Sequence, residues 1–246
     1  MIRNSHNWTA LYRALWVFAN PVQFAWSVLR RSAPASVRLR TPTGTVTLNL
    51  RNFESLKTAF SVFCREDYRT ETDRSFVFLD VGANVGISAV YFLTRNGRNT
   101  VRCYEPDSAN LEFLTANLDA FGARATVHAM AVGTTTGTVT LYCSEDGKYT
   151  STLASHHAVV VQRVPCVAFG DVLAALRRCD WPVIVKLDVE GIERELIGYT
   201  DFAAHPHVTR LFCESTDCSS LIARRHIRSL RNGYVEDLRF LSGTTC

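Results

Sequence analysis

Asp80, Gly82 and Gly86 are spaced as residues that could hold a nucleoside cofactor. They lie in Phe76-Val-Phe-Leu-Asp-Val-Gly-Ala-Asn-Val-Gly-Ile-Ser88. An apolar run there ends in an acid, passes through glycines, and resumes with helical spacing at Ile87, Val90, Tyr91 and Leu93. This predicts a buried strand, a tight turn and a helix. Glycine in such a turn lets backbone amides approach a ligand closely. The next apolar run, Val101-Arg-Cys-Tyr-Glu105, also ends in an acid, placed to bind ribose hydroxyls. The turn reads Asp80-x-Gly82-x-Asn84-x-Gly86 and lacks the fuller G-x-G-x-x-G of dinucleotide sites. A carboxylate just before the first glycine would repel a pyrophosphate and attract an ammonium group. S-adenosylmethionine, which carries a ribose and an ammonium and no phosphate, fits better than a nicotinamide dinucleotide.

Val183-Ile-Val-Lys-Leu-Asp-Val-Glu-Gly191 predicts a second buried strand running into a turn. Period-two alternation puts Lys186, Asp188 and Glu190 on one face, and Val185, Leu187 and Val189 on the other. Three charges on a central strand are costly unless paired or used. One reading is a structural ion pair between Lys186 and a carboxylate. The other puts Asp188 and Glu190 at the carboxyl end of the strand, where open α/β sheets bind ligands. On that reading Asp188 positions the cofactor and contacts the acceptor. Glu190 and Glu214 are the candidate bases, Glu190 favoured, and Lys186 pairs with one of them and holds it ionised. His156 and His157 lie on a loop, either merely exposed or within reach of an acceptor. No zinc-type ligand spacing occurs. The three acids could hold a hard cation, but pairing with Lys186 accounts for them equally well, and no metal is expected.

Leu79-Asp-Val-Gly-Ala-Asn-Val-Gly86 together with Lys186-Leu-Asp-Val-Glu-Gly-Ile-Glu193 resembles the FkbM-type S-adenosylmethionine-dependent methyltransferases. Tyr104-Glu-Pro-Asp107, Ala131-Val132 and Val139 to Tyr142 are similar to further segments of that family, and the resemblance runs from about Val37 to Phe240. It implies a Rossmann-like class I methyltransferase fold, a doubly wound, mostly parallel sheet closed by an antiparallel hairpin. It also implies S-adenosylmethionine as cofactor, with Asp80, Gly82, Ala83, Asn84, Gly86, Glu105, Pro106, Ala131 and Asp188 around it. The implied reaction is O-methylation of a hydroxyl on a sugar, glycan or secondary metabolite. The alternatives are 2'-O-methylation of a nucleic-acid ribose and a non-catalytic cofactor-binding protein on the same fold. The first would need a basic groove with stacking aromatics, and no such cluster is visible.

The elements that must position these residues are those of one α/β domain. The chain has 246 residues, 47% hydrophobic and 20% charged, with a net charge of +4, an ordinary globular composition. Its arginines are scattered, giving no nucleic-acid signature. The eight cysteines form no C-x-x-C pair, and a reduced, cytoplasmic protein is expected. Residues 1–36 read as a helical extension and linker. A hairpin around Thr43-Gly44 and a helix from Phe53 to Tyr68 fill 37–75, and the cofactor-binding core fills 76–246. Trp8 to Leu29 is aromatic and apolar, broken by Pro21 and too interrupted to cross a bilayer. It reads as two helices packing on the domain or on a second copy, or as an interfacial membrane contact. Thr126 to Val132 is expected as the third parallel strand, Val139–Tyr142 and Val159–Val164 as an inserted antiparallel pair, and Val208–Glu214 as the fifth strand. Ser219 to Arg231 is expected to be helical, leaving only Tyr234–Phe240 of the final hairpin legible.

Overall fold

The computed structural model describes residues 5–144, 150–151, 158–189, 191–214, 218–222, 227–232 and 235–240. The elements run α1 (Ser5–Val17), α2 (Pro21–Arg30), β1 (Ser36–Thr41), β2 (Gly44–Asn49), α3 (Phe53–Phe60), β3 (Val77–Val81), α4 (Ile87–Leu93), β4 (Thr100–Tyr104) and α5 (Ser108–Leu118). There follow β5 (Ala125–His128), β6 (Ala131–Gly133), β7 (Gly137–Ser144), β8 (Thr150–Ser151), β9 (Ala158–Ala168), α6 (Phe169–Ala175), β10 (Val183–Leu187), α7 (Glu193–Gly198), β11 (Val208–Cys213), β12 (Ile227–Asn232) and β13 (Val235–Phe240). The chain divides into two compact units. The first holds Met1–Ser75, Ala83–Val101 and Ser108–Thr126; the second holds Phe76–Gly82, Arg102–Asp107 and Val127–Cys246.

In the first unit the two N-terminal helices share a core with the hairpin. Ala10, Ala14 and Phe18 recur at helical spacing and are buried, and Phe18 bridges to Leu39 of β1. Phe24 stacks between Phe18 and Phe60, at 4.2 and 5.6 Å. Asn20 starts α2 by accepting the Gln23 amide on its side chain, and Pro21 takes the first helical position, where its missing N–H costs nothing. Arg40 donates to the carbonyls of Trp16, Phe18 and Ala19, which satisfies the exposed end of α1. α1 and α2 thus lie in one unit with the hairpin. The helix expected to reach Tyr68 leaves α geometry at Ser61, where a π-helical turn runs to Arg65. Every residue of α4 is buried, Ser88 included, in a helix otherwise made of apolar and aromatic residues.

A seven-stranded sheet has the order β12-β13-β11-β10-β3-β4-β5, the opening residues of β4 and β5 counting in the first unit. β10 pairs parallel with β3 and with β11, while β13 runs antiparallel to both β11 and β12. β3 and β10 are buried at every position, the mark of strands covered on both faces. Phe169 and Leu173 of α6, Leu196 and Ile197 of α7, and Phe202 build the second unit's core with the sheet's aliphatic side chains. A separate four-stranded sheet, β6-β9-β7-β8, contains the expected antiparallel pair as β7 and β9.

Two expectations are corrected. The run from Thr126 to Val132 is not one strand. β5 stops at His128, the Met130 amide turns back onto the His128 carbonyl at 2.9 Å, and β6 then pairs with β9 in the smaller sheet. The helix expected over Ser219–Arg231 is a 3-10 turn at Cys218–Leu221 followed by strand β12. Glu236 of β13 decides this, because its carboxylate accepts both the Cys218 amide, at 2.8 Å, and the Ser229 hydroxyl, at 2.7 Å. Hairpin pairing overrides the local helical spacing. The closing antiparallel hairpin is complete.

Candidate functional site

The second unit gathers its ionisable residues where the strand order reverses. From β3 the chain adds β4 and β5 on one side, and β10 then joins on the other. Ligands of open α/β sheets bind outside the carboxyl ends at such a reversal. The register of β3 and β10 sets Asp80 directly beside Lys186. Lys186 Nζ donates to Asp80 Oδ1 at 3.1 Å and to the Gly82 carbonyl at 2.9 Å, and lies 3.2 Å from Asp188 Oδ2. Asp80 is fully buried, Lys186 nearly so, and the Asp188 side chain keeps 30% of its surface exposed. Burial alone would lower the lysine's pKa. Asp188, Asp80 and Glu214 together outweigh it, and the ammonium is held charged above its ordinary range.

The ion pair expected between Lys186 and a carboxylate is present, with Asp80 and Asp188 as its partners. Asp80 spends its charge on Lys186, so the half-buried Asp188 is the carboxylate left facing outward. Glu190 lies outside the described residues, as do His156 and His157. Glu214 is exposed just past β11, with its amide on the Leu187 carbonyl at 3.2 Å.

Gly82 shows why this strand end needs glycine. Its φ is 78°, and a Cβ there would come within 1.8 Å of the Asp188 carbonyl oxygen. Its amide donates to Tyr104 O at 3.0 Å, and the Asp188 amide donates to Val81 O at 3.1 Å. The ends of β4, β3 and β10 are thereby fastened to each other. Glu105 is buried just past β4; its Oε1 accepts the Asp107 amide at 2.9 Å, and its own amide donates to the His128 carbonyl. His128 stacks on Tyr104 with ring centroids 4.5 Å apart, and its buried Nε2 has no hydrogen-bond partner in the protein. Burial, then Arg102, pushes its pKa below the ordinary value. Cys103 lies among the same charges. Burial lifts its thiol pKa far above the usual range, Asp80 and Glu105 add to the rise, and Lys186 opposes it.

Pro106 is half-buried beside Glu105. Ala131 opens β6 and pairs with Cys166 in the smaller sheet. Ala83, Asn84 and Gly86 belong to the first unit. There Asn84 adopts φ 51° and accepts the Val85 amide on its own side chain. Gly86 has φ 84°, and a Cβ there would meet Leu114 Cδ1 at 2.7 Å, so glycine admits α5. Asn117 fixes this turn: its side chain donates to the Val85 carbonyl at 2.8 Å and exchanges two bonds with the Asn49 backbone.

Glu193 closes the Lys186–Glu193 motif, and its role emerges only in the folded chain. It is buried, and its two carboxylate oxygens accept the Val189 and Gly191 amides, each at 3.0 Å. It anchors the backbone on both sides of Glu190. The signal was present in an acid two residues after Gly191, since such an acid can cap a glycine turn.

The donor set suits S-adenosylmethionine. A buried carboxylate at Glu105 matches a ribose diol, an outward carboxylate at Asp188 matches an ammonium, and the unpartnered His128 Nε2 leaves a polar atom beside Glu105 for the nucleoside. Among the described residues no group of three or more His, Cys, Asp or Glu side chains could hold a metal ion.

Comparison with solved structures gives low-identity likenesses. The methyltransferase FkbM of Methylobacillus flagellatus KT is 16% identical, with a TM-score of 0.47 over 95% of this chain. The chain spans 60% of that protein's length. TrmK of M. capricolum, solved with its natural cofactor product S-adenosyl-homocysteine, is 9% identical, with a TM-score of 0.36 over 68% of this chain and 61% of its own. Comparison with curated proteins gives no match. The family model "Methyltransferase FkbM domain" matches residues 80–229, from Asp80 of β3 into β12, more than half of the chain. The chain belongs to the methyltransferase FkbM domain family, and S-adenosylmethionine is its cofactor.

Proposed function

We propose that this protein transfers a methyl group to a hydroxyl oxygen of a small molecule or glycan. The observation that carries the proposal is the Lys186 ammonium, locked between buried Asp80 and outward Asp188 at the reversal of strand order. A lysine held charged in this way cannot serve as a proton acceptor. It fixes Asp188 in place and leaves proton removal to a carboxylate. The bound cofactor supplies an electrophilic sulfonium methyl. Glu105 holds the ribose and Asp188 takes the ammonium and orients the acceptor. Alignment provides much of the rate. Glu190 accepts the hydroxyl proton, its flanking amides held by Glu193, and Glu214 is the second candidate.

The test is transfer of labelled methyl from S-adenosylmethionine across hydroxylated sugars and metabolites, with Glu190→Gln beside the unaltered protein. Loss of the base should lower turnover by about 10²–10⁴-fold while affinity for S-adenosylhomocysteine holds. Full activity in a destabilised Glu190→Gln protein would move the role to Glu214. Methyl transfer to amines alone would overturn the hydroxyl acceptor.

A further inference from the structure

The helix pair of the first unit faces the wrong way for a soluble surface. On α1, Trp8, Leu11, Tyr12, Leu15 and Trp16 recur at helical spacing, and Ala10, Ala14 and Phe18 form the opposite, buried stripe. The bulky stripe points outward: Trp8, Tyr12, Leu15 and Trp16 are each more than half exposed. α2 repeats the inversion, with Val22, Trp26 and Leu29 more than half exposed and Ser27 buried. Between the helices lies an apolar hollow of about 390 Å³, lined by Trp8, Leu11 and Leu15 of α1 and Pro21, Phe24 and Ala25 of α2. Single exposed apolar residues are ordinary; two continuous stripes with three tryptophans mark an interaction surface.

Charge selects the partner. Residues 1–53 contain seven arginines and no aspartate or glutamate, Glu54 being the first acid. Arg13 pairs with Glu66, Arg40 binds the end of α1, and Arg51 donates to Asn110. Arg30, Arg31 and Arg38 remain exposed, Arg30 lying over the Trp26 ring at 4.3 Å. Two copies joined through this face would bring like charges together, whereas an anionic surface complements it. Tryptophan and tyrosine with flanking arginine suit the boundary between lipid headgroups and acyl chains. Helices of 13 and 10 residues are too short to span a bilayer, and no helix among the described residues is long and apolar enough to cross one.

We propose that α1 and α2 dock the protein on the surface of an anionic lipid bilayer, the Trp8–Trp16 stripe and Trp26 entering the headgroup boundary and Arg30 and Arg31 meeting lipid phosphates. The reading is independent of methyl transfer, and its failure leaves the proposed reaction standing.

The test is sedimentation of the full chain with vesicles of phosphatidylcholine alone and of phosphatidylcholine mixed with phosphatidylglycerol. Binding is expected only to the anionic vesicles, with tryptophan emission quenched by brominated acyl chains and with binding weakened by salt. Arg30→Ala with Arg31→Ala should lower the partition coefficient by about 30-fold. Trp16→Ser with Trp26→Ser should abolish binding at an unchanged melting temperature. If that pair also destabilises the fold, quenching in the unaltered chain decides. Absence of binding to anionic vesicles, or equal partition onto neutral ones, overturns the proposal. Self-association that Trp16→Ser with Trp26→Ser abolishes, without vesicle binding by the unaltered chain, overturns it in favour of a second copy.

Discussion

Lys186 carries a concentrated electrostatic burden, because two carboxylates and a carbonyl converge on one buried ammonium. Removing one partner of a buried pair leaves an uncompensated charge, at a cost of about 3–5 kcal/mol. Lys186→Met is expected to lower stability by that amount, read as a drop in the denaturation midpoint, and to weaken cofactor binding as Asp188 loses its tether. An unchanged midpoint would show that Asp80 tolerates isolation. Glu105 has a separate role. Its Oε1 holds the Asp107 amide, so the carboxylate is already oriented before a ligand arrives. Glu105→Ala should weaken S-adenosylhomocysteine binding by about tenfold or more, given about 1.5–3 kcal/mol for each charge-assisted bond lost. Calorimetry checks this, and an unaltered dissociation constant would remove Glu105 from the site.

At the scale of the elements, the site depends on how closely two strand ends approach. Gly82 joins positive φ to a gap that no side chain can enter, since the Asp188 carbonyl occupies the Cβ position. Gly82→Ala must therefore push β3 from β10 or twist its own backbone, and overpacking of this kind costs about 1–3 kcal/mol before the φ strain is added. The expected outcome is a lowered melting temperature together with loss of cofactor binding. A variant of normal stability and affinity would mean that the strand ends part freely. Gly191, at φ 117°, and Glu193 give the loop after β10 its shape by a different device: two amides gripped by one carboxylate.

Across the whole molecule, pH acts through histidines, one buried and one half-buried. His205 and His207 lie edge to face in the second unit, with centroids 5.6 Å apart. Burial lowers the pKa of His205; His207 and Arg177 add to the effect and Asp201 opposes it. Burial likewise lowers His207; Arg177 adds, and its hydrogen bond to the Leu173 carbonyl opposes. That bond requires Nε2 to carry the proton, since a carbonyl only accepts. Folded pKa values below the ordinary 6.5 mean that the unfolded chain takes up protons first as the medium acidifies. The stabilisation is present above that value and is lost as pH falls through the folded pKa values. The melting temperature should thus fall between about pH 7 and pH 5, and His207→Gln should flatten the slope. An equal slope in that variant would assign the acid sensitivity elsewhere.

What the sequence determined alone was the parts whose signal is local. Strand, glycine turn and helix from Phe76 to Leu93 follow from apolar spacing and from the φ values that only glycine adopts freely. Asn20 and Pro21 mark a helix start by their own chemistry, and the paired motifs around Asp80 and Lys186 were enough to suggest the family. What it could not supply were contacts between residues far apart in the chain. Asp80 meets Lys186 through the register of β3 against β10, and no local pattern encodes that register. Ser219 to Arg231 is expected as a helix, yet Ile227–Asn232 pairs with Val235–Phe240 in a hairpin whose Glu236 also accepts the Cys218 amide. For α1 and α2 the sequence left packing and an interfacial contact both open, because helical periodicity fixes which residues share a face but not which face meets the protein. Only packing against Leu39, Phe60 and the hairpin turned the alanine stripe inward and left the tryptophans outside.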